Sequence, residues 1–170
     1  MQNLSMSQPG ITLLMSIESF RGTPYDDQNG KAITSWVKGA TIGYGHLISQ
    51  DEWNRTGNAY VRGISQQQAE ALFQQDLAPF VQGVSTKLTA AVSQNQFDSL
   101  VILAYNIGLA NFSNSSVLKL VNDPQAQTNY PSLEVAWKSW NKSQGKVMEG
   151  LNKRRNAEWN IYTQNVYARW

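Results

Sequence analysis

Cysteine is absent from the chain and histidine occurs once, as His46. Without thiols there can be no disulfide framework, thiolate zinc site or cysteine nucleophile. A single imidazole also rules out a site needing two histidine ligands from one chain, which argues against zinc hydrolase chemistry. Charge is scarce too: 14 Lys and Arg against 12 Asp and Glu leave a net charge of +2, too little to argue for a nucleic acid partner. No apolar run reaches 18 residues, and the stretch Met1 to Gly10 is polar, without a charged start followed by an apolar stretch. The expectation is a chain with neither an export signal nor a transmembrane segment.

The 170 residues hold 41% hydrophobic and 15% charged residues. That is enough apolar material for a core, and a length suited to a single domain spanning 1–170. Ile11, Leu14, Met15 and Ile17 recur at helical steps, predicting a first helix that ends near Phe20, before Gly22 and Pro24. The stretch from Tyr25 to His46 reads as a small antiparallel sheet. Its Asn29-Gly30 pair suits a tight hairpin turn, and Ile33, Trp36, Val37, Ile42 and Tyr44 suit strands. A polar linker is expected around Thr56 to Gly63.

Ser65 with Gln68, and Ser93 with Gln96, then spell two capping boxes. Pro79 should kink or end the helix begun by the first. The second opens a segment apolar almost all round, from Phe97 to Ile107, expected to be the central buried helix. Further helices are expected at Asn114–Val121, Ser132–Trp140 and Leu151–Thr163, the last burying Leu151, Trp159 and Tyr162. The fold class is α+β with segregated elements: lobes of about 11–64 and 65–170, with a groove between them as the natural ligand site. Residues 131–170 carry Lys138, Lys142, Lys146, Lys153, Arg154, Arg155 and Arg169 against Glu134, Glu149 and Glu158, leaving +4 there and −2 elsewhere. This basic quarter reads as a solvated helix face, or as a surface for an anionic cell envelope.

Two carboxylates stand out. Glu18 falls at the end of the first helix and Asp27 nine positions later, where the sheet begins. Glycosidic hydrolysis needs one carboxylic acid to protonate the leaving oxygen and one carboxylate to activate water or attack. From spacing alone, Glu18 reads equally as a solvated helix residue and Asp26-Asp27 as a turn. His46 could act as a base, but no Gly-x-Ser-x-Gly elbow accompanies it, and a structural role is the simpler reading. Gly43-Tyr44-Gly45 lacks the third glycine of a dinucleotide fingerprint. The tryptophans read as packing residues, with Trp36 as the exception to watch for sugar contact.

The stretch from Glu18 to Asp27 (Glu-Ser-Phe-Arg-Gly-Thr-Pro-Tyr-Asp-Asp), followed by Thr41-Ile-Gly-Tyr-Gly-His-Leu47, resembles the catalytic signature of phage-type lysozymes, the T4-like and lambdoid endolysin muramidases. Segments at Ala69–Asp76, Gln94–Leu100, Ala104–Gly108, Trp140-Asn-Lys and Gly150–Arg155 agree in order, so the resemblance runs from about Ile11 to Tyr162. It implies a lysozyme-like fold with Glu18 as the acid and Asp27, with Thr41, holding the attacking water, so that the anomeric configuration inverts. Asp26 remains an alternative to Asp27. The resemblance also implies that Gly43, Tyr44 and Asn106 contact the sugar chain and that His46 pairs with Asp76, raising the pKa of His46. The family usually places five residues between the Asp and the Thr, whereas thirteen, 28–40, lie between Asp27 and Thr41. The hairpin thus carries an insertion whose tip, Lys31 to Gly39, is expected to extend over the groove.

The function implied is cleavage, without metal or cofactor, of the β-1,4 bond from N-acetylmuramic acid to N-acetylglucosamine in peptidoglycan, leading to bacterial lysis. Lytic transglycosylation and non-catalytic wall binding are the alternatives. A monomer is implied, held in the host cytoplasm until a separate pore-forming protein gives access to the wall, with no nucleic acid partner.

Overall fold

The computed structural model describes residues 4–170. The reading of Met1–Gly10 as lacking an export signal thus rests in part on residues 1–3, which lie outside the described residues. Among the described residues no helix is long and apolar enough to cross a membrane. Packing separates two compact units: Met15–Ala78, and the chain up to Leu14 together with Pro79–Trp170. The divisions fall inside helices α1 (Gln8–Glu18) and α3 (Gln66–Lys87), not at the expected 64/65 boundary. Helix α3 runs through Pro79 because residues 75 and 79 are both exposed, so water can satisfy the carbonyl that the proline ring leaves without its donor.

The unit Met15–Ala78 is built around an antiparallel sheet ordered β1 (Arg21–Asp26), β2 (Ala40–Gly43), β3 (His46–Leu47). Tyr25 faces Thr41 and Ile42 faces His46, and the β1–β2 register slips between Arg21 and Tyr25, around the buried Pro24. A proline inside a strand is tolerated at such an irregularity. Ala40, Ile42 and Ile48 form the buried centre.

The insertion departs from expectation. Ile33, Trp36 and Val37 add no strand and fold back onto that centre, and the Trp36 indole donates to the Ile48 carbonyl at 2.9 Å. Three apolar side chains in one loop gain more from burial than from projecting into water. Trp36 is therefore half-buried and packed against the core of its unit.

A second departure is helix α2 (Gln50–Arg62), which occupies the expected polar linker. Ser49 caps it, accepting from the Glu52 amide at 3.1 Å. Gly57 sits inside it because a Cβ there would stand 2.6 Å from the Trp53 indole nitrogen. The Ser65–Gln68 capping box opens α3 with both reciprocal hydrogen bonds, at 2.8 and 3.1 Å.

In the other unit, helix α4 (Gln94–Ile107) opens with the Ser93–Gln96 capping box and is buried from Phe97 to Ala104. Helices α5 (Leu109–Ser113) and α8 (Glu149–Gln164) pack against it, while α6 (Ser116–Asn122) packs on α5 and α7 (Leu133–Lys138), and α7 on α8. The remainder is not all helical: β4 (Lys142–Ser143) and β5 (Lys146–Val147) form a hairpin. Its turn, Gln144-Gly145, has positive φ at both residues, 52° and 79°, as tight hairpins require.

Helix α8 buries Arg154, Arg155, Glu158 and Ile161, while Leu151, Trp159 and Tyr162 are only half-buried. Glu158 meets Arg154 Nε and Arg155 Nε at 3.0 Å each and accepts from the Trp137 indole at 3.0 Å. Burial pushes the Glu158 carboxyl up and the Arg155 guanidinium down, and each charge opposes the shift of the other. The basic quarter is thus not one solvated face: two of its arginines serve the core. Glu158→Ala would leave both guanidinium groups buried without a counter-charge. An equilibrium denaturation experiment should show a loss of about 3–5 kcal/mol, far more than for the exposed ion-pair variant Glu134→Ala.

Candidate active site

The unit Met15–Ala78 contains Glu18, Asp27, Thr41, His46 and Asp76 together. Glu18 is the last residue of α1, and Ser19 turns the chain with a φ of 56°, a left-handed conformation that costs a non-glycine residue energy. The turn leads directly into β1. The Glu18 carboxylate lies against the β2–β3 turn, where a Cβ on Gly45 would stand 3.0 Å from Glu18 Oε2. Gly45 has a φ of 78°. It is therefore glycine for two independent reasons, backbone angle and room for a carboxylate.

The adjacent aspartates separate cleanly. Asp26 holds the turn: its carboxylate accepts from the Gln28 amide at 2.9 Å and the Asn29 side chain at 3.3 Å, and its carbonyl accepts from the Gly30 amide at 2.7 Å. Asp27 is exposed, and its amide donates to the Gly39 carbonyl at 3.0 Å. The same carbonyl accepts from the Thr41 hydroxyl at 2.9 Å. Thr41 is 4% exposed, and with its proton committed to Gly39 the oxygen lone pairs remain as acceptors. The Asp27 carboxylate fills the place a Gly39 side chain would take. Thirteen intervening residues therefore do not part Asp27 from Thr41.

Tyr25 joins these groups. Its phenol is pushed up from its usual value chiefly by burial; Arg21 opposes this, and the charges of Glu18 and Asp27 add to it. Both carboxylates are thus within electrostatic reach of one hydroxyl. Nothing in composition or spacing marked Tyr25, although it lies within the motif.

Tyr44 and Gly43, both expected at the sugar, are closely packed. Tyr44 is 6% exposed, its ring 5.6 Å from Phe20 and 6.4 Å from Phe73, and its hydroxyl accepts from Gln66 at 2.8 Å. Gly43 is buried against α3, where a Cβ would stand 3.1 Å from Ala69 Cβ. Close packing and a φ of 70° both call for glycine here. Asn106, in the other unit, is exposed at the end of α4; it accepts from Arg155 Nη2 and borders a cavity of about 520 Å³ with Asn111, Trp140 and Lys142.

His46 Nδ1 lies 2.9 Å from Asp76 Oδ2, and Nε2 lies 2.8 Å from Glu52 Oε2. Glu52 also accepts from the Tyr60 hydroxyl at 2.6 Å. Glu52 was not anticipated, because it reaches His46 from the helix read as a linker. Burial pulls the His46 pKa down, but hydrogen bonds and charge from Asp76 and Glu52 outweigh it and raise the value from 6.5 to about 9. A raised folded-state value favours folding while the unfolded histidine is also protonated; the benefit is complete below about pH 6.5 and is lost as pH rises through about 9. As the sole histidine, His46 gives one set of imidazole proton resonances. Their titration should centre near pH 9 and move down in Glu52→Gln, with the wild-type melting temperature falling between pH 6.5 and 9 more than that of His46→Gln.

A helix end and a three-stranded sheet that gather an acid, an aspartate and a threonine in this order define a lysozyme-like class of protein. The chain belongs to the phage lysozyme family, which matches residues 15–158. It is 38% identical over 166 residues to the endolysin of Bacillus phage PZA, covering 96% of this chain and 57% of that protein. It is 31% identical over 157 residues to the endolysin of Salmonella phage P22, covering 91% of this chain and 95% of that protein. The chain thus spans little more than half the length of the Bacillus phage relative. Among solved structures, the endolysin of Escherichia coli O157:H7 phage FAHEc1 superposes with a TM-score of 0.76 at 27% identity, covering 99% of each chain. The muramidase domain of SpmX from Asticaccaulis excentricus follows at 0.70 and 28% identity, covering 94% of this chain and 98% of that one.

Proposed function

We propose that this chain is a muramidase of the endolysin type, cleaving the β-1,4 bond between N-acetylmuramic acid and N-acetylglucosamine in peptidoglycan. The observation that carries the reading is the shared Gly39 carbonyl, which ties the Asp27 backbone to the Thr41 hydroxyl, on a unit where Glu18 faces Gly45. Family membership and relatives named endolysin and muramidase support it.

In this reading Glu18 gives its proton to the glycosidic oxygen as the bond from the muramic acid C1 breaks. A water held by Asp27 and the free lone pairs of Thr41 attacks C1 from the opposite face. Its proton passes to Asp27, and the configuration inverts. No metal or cofactor takes part. Asp27 is preferred to Asp26 because the Asp26 carboxylate is already spent on the turn. Asn106, beside a cavity of its own unit, is proposed to contact sugar. The protein acts as a monomer, without nucleic acid, and waits in the host cytoplasm for a separate pore-forming protein. Of the basic quarter, Lys142, Lys146, Lys153 and Arg169 are exposed and are the groups proposed to meet an anionic envelope.

Digestion of purified peptidoglycan, read by mass spectrometry of released muropeptides, tests this reading. Wild type should yield reducing muramic acid ends. Glu18→Gln and Asp27→Asn should each lose about 10²–10⁴-fold in rate, and Asp26→Asn should retain the activity of its folded fraction. Anhydro ends would move the assignment to a lytic transglycosylase; wall binding without any product would make the chain a non-catalytic binder.

A further inference from the structure

Tyr25 stands out among the polar groups near the carboxylates: Arg21 covers its ring, and among the described residues no hydrogen bond engages its hydroxyl. The Arg21 guanidinium carbon lies 4.1 Å from the ring centroid, and Arg21 Nη1 donates to the Gly30 carbonyl at 2.8 Å. The ring is therefore clamped by the same turn that consumes Asp26. Tyr25 is the cross-strand partner of Thr41. Directly opposed residues of an antiparallel pair project on the same face with Cβ atoms about 4.5–5.5 Å apart, so the Tyr25 side chain leaves the sheet on the face that carries Thr41. Among the described residues the Tyr25 hydroxyl makes no hydrogen bond, while Tyr44, Tyr60 and Tyr167 each use theirs. The charges bearing on it are Arg21 from its own strand, Glu18 from the end of α1 and Asp27 from the turn.

We propose that Tyr25 is a substrate-positioning residue: its unengaged hydroxyl hydrogen-bonds the sugar that spans Glu18 and Asp27, holding C1 in line with the water beside Thr41. The inference rests on the muramidase reading and adds Tyr25 to its Glu18, Asp27 and Thr41. The role suits a pre-oriented group, since a ring already held by Arg21 loses little freedom when substrate binds. The hydroxyl gives and takes hydrogen bonds without titrating in the working range, so it orients substrate without competing for the catalytic proton.

The test is Tyr25→Phe, which keeps the ring and its contact with Arg21, assayed beside wild type and Glu18→Gln on purified peptidoglycan across pH. The expected result is a fall in kcat/KM of about 10- to 100-fold, as for a lost hydrogen bond to substrate. The melting temperature should match wild type, and the limbs of the pH profile assigned to Glu18 and Asp27 should shift as the phenol dipole is removed. Activity within about twofold of wild type overturns the inference, and so does a loss with both limbs unmoved, which marks a purely structural role. If Tyr25→Phe proves unstable, the comparison is repeated with Arg21→Met, which frees the clamp and leaves the hydroxyl. A lower kcat with unchanged affinity for wall fragments is then expected, and wild-type kcat overturns the inference. A wild-type protein that releases no muropeptide overturns the muramidase reading itself, and this inference with it.

Discussion

The carbonyl of Gly39 is the constraint on which the candidate site depends. It accepts the amide of Asp27 and the hydroxyl of Thr41 together, so the two residues are held by one main-chain atom rather than by the loop between them. Gly39 itself has a φ of 101°, and its missing side chain leaves the space that the Asp27 carboxylate fills. Any L side chain there meets both penalties at once, a disfavoured backbone and a displaced carboxylate. A backbone oxygen with two donors is also a fixed dipole: it orients the Thr41 hydroxyl without needing a charged neighbour.

That arrangement explains why a long insertion is compatible with the site. Loop closure becomes costlier only logarithmically with length, but a free loop of this size would still blur the position of its ends. Here the ends are pinned twice, by Asp26 N–H to Lys31 C=O at 2.9 Å and by Asp27 N–H to Gly39 C=O at 3.0 Å. The middle is pinned by Ile33, Trp36 and Val37 against Ala40, Ile42 and Ile48. The insertion thus enlarges the core of its own unit, and that burial offsets the entropy of ordering the extra residues.

What could be read from the sequence follows the range of the interactions involved. Glu18, Asp27 and Thr41 were legible because a short motif spells them in order, and both capping boxes because they need only two residues three apart. The same capping rule applied to Ser49 and Glu52 would have found α2, but Gly57 and the polar residues from Thr56 to Gly63 read as a linker; the glycine is there for Trp53, one turn away. Losing α2 also hid Glu52 as the second partner of His46. Asn106 was legible as a residue, but its bond to Arg155 depends on α8 packing against α4. The charge pattern of that helix gave no sign that Arg154, Arg155 and Glu158 turn inward, since i, i+3 and i+4 pairs are equally common on wet faces. Gly43 and Tyr44 were assigned to the sugar by resemblance, and only tertiary packing shows what fills the space around them.

Two adjacent carboxylates meet different surroundings. Asp26 and Asp27 differ by one position on the chain, and side chains alternate across a strand, so one faces the turn and the other leaves it. The turn satisfies Asp26 with donors from Gln28 and Asn29, which spends that carboxylate on structure and so removes it from competition for a water or a sugar. Asp27 is exposed and held through its amide, which is why the proposed water-holding role falls to it, and Tyr25 and Thr41 face each other across β1 and β2 near the same end of the sheet. The selectivity between two chemically identical groups therefore lies in backbone geometry. A site organised in this way is set by strand register: moving β1 by one residue against β2 would exchange the two aspartates and turn Tyr25 away from Thr41 in the same step.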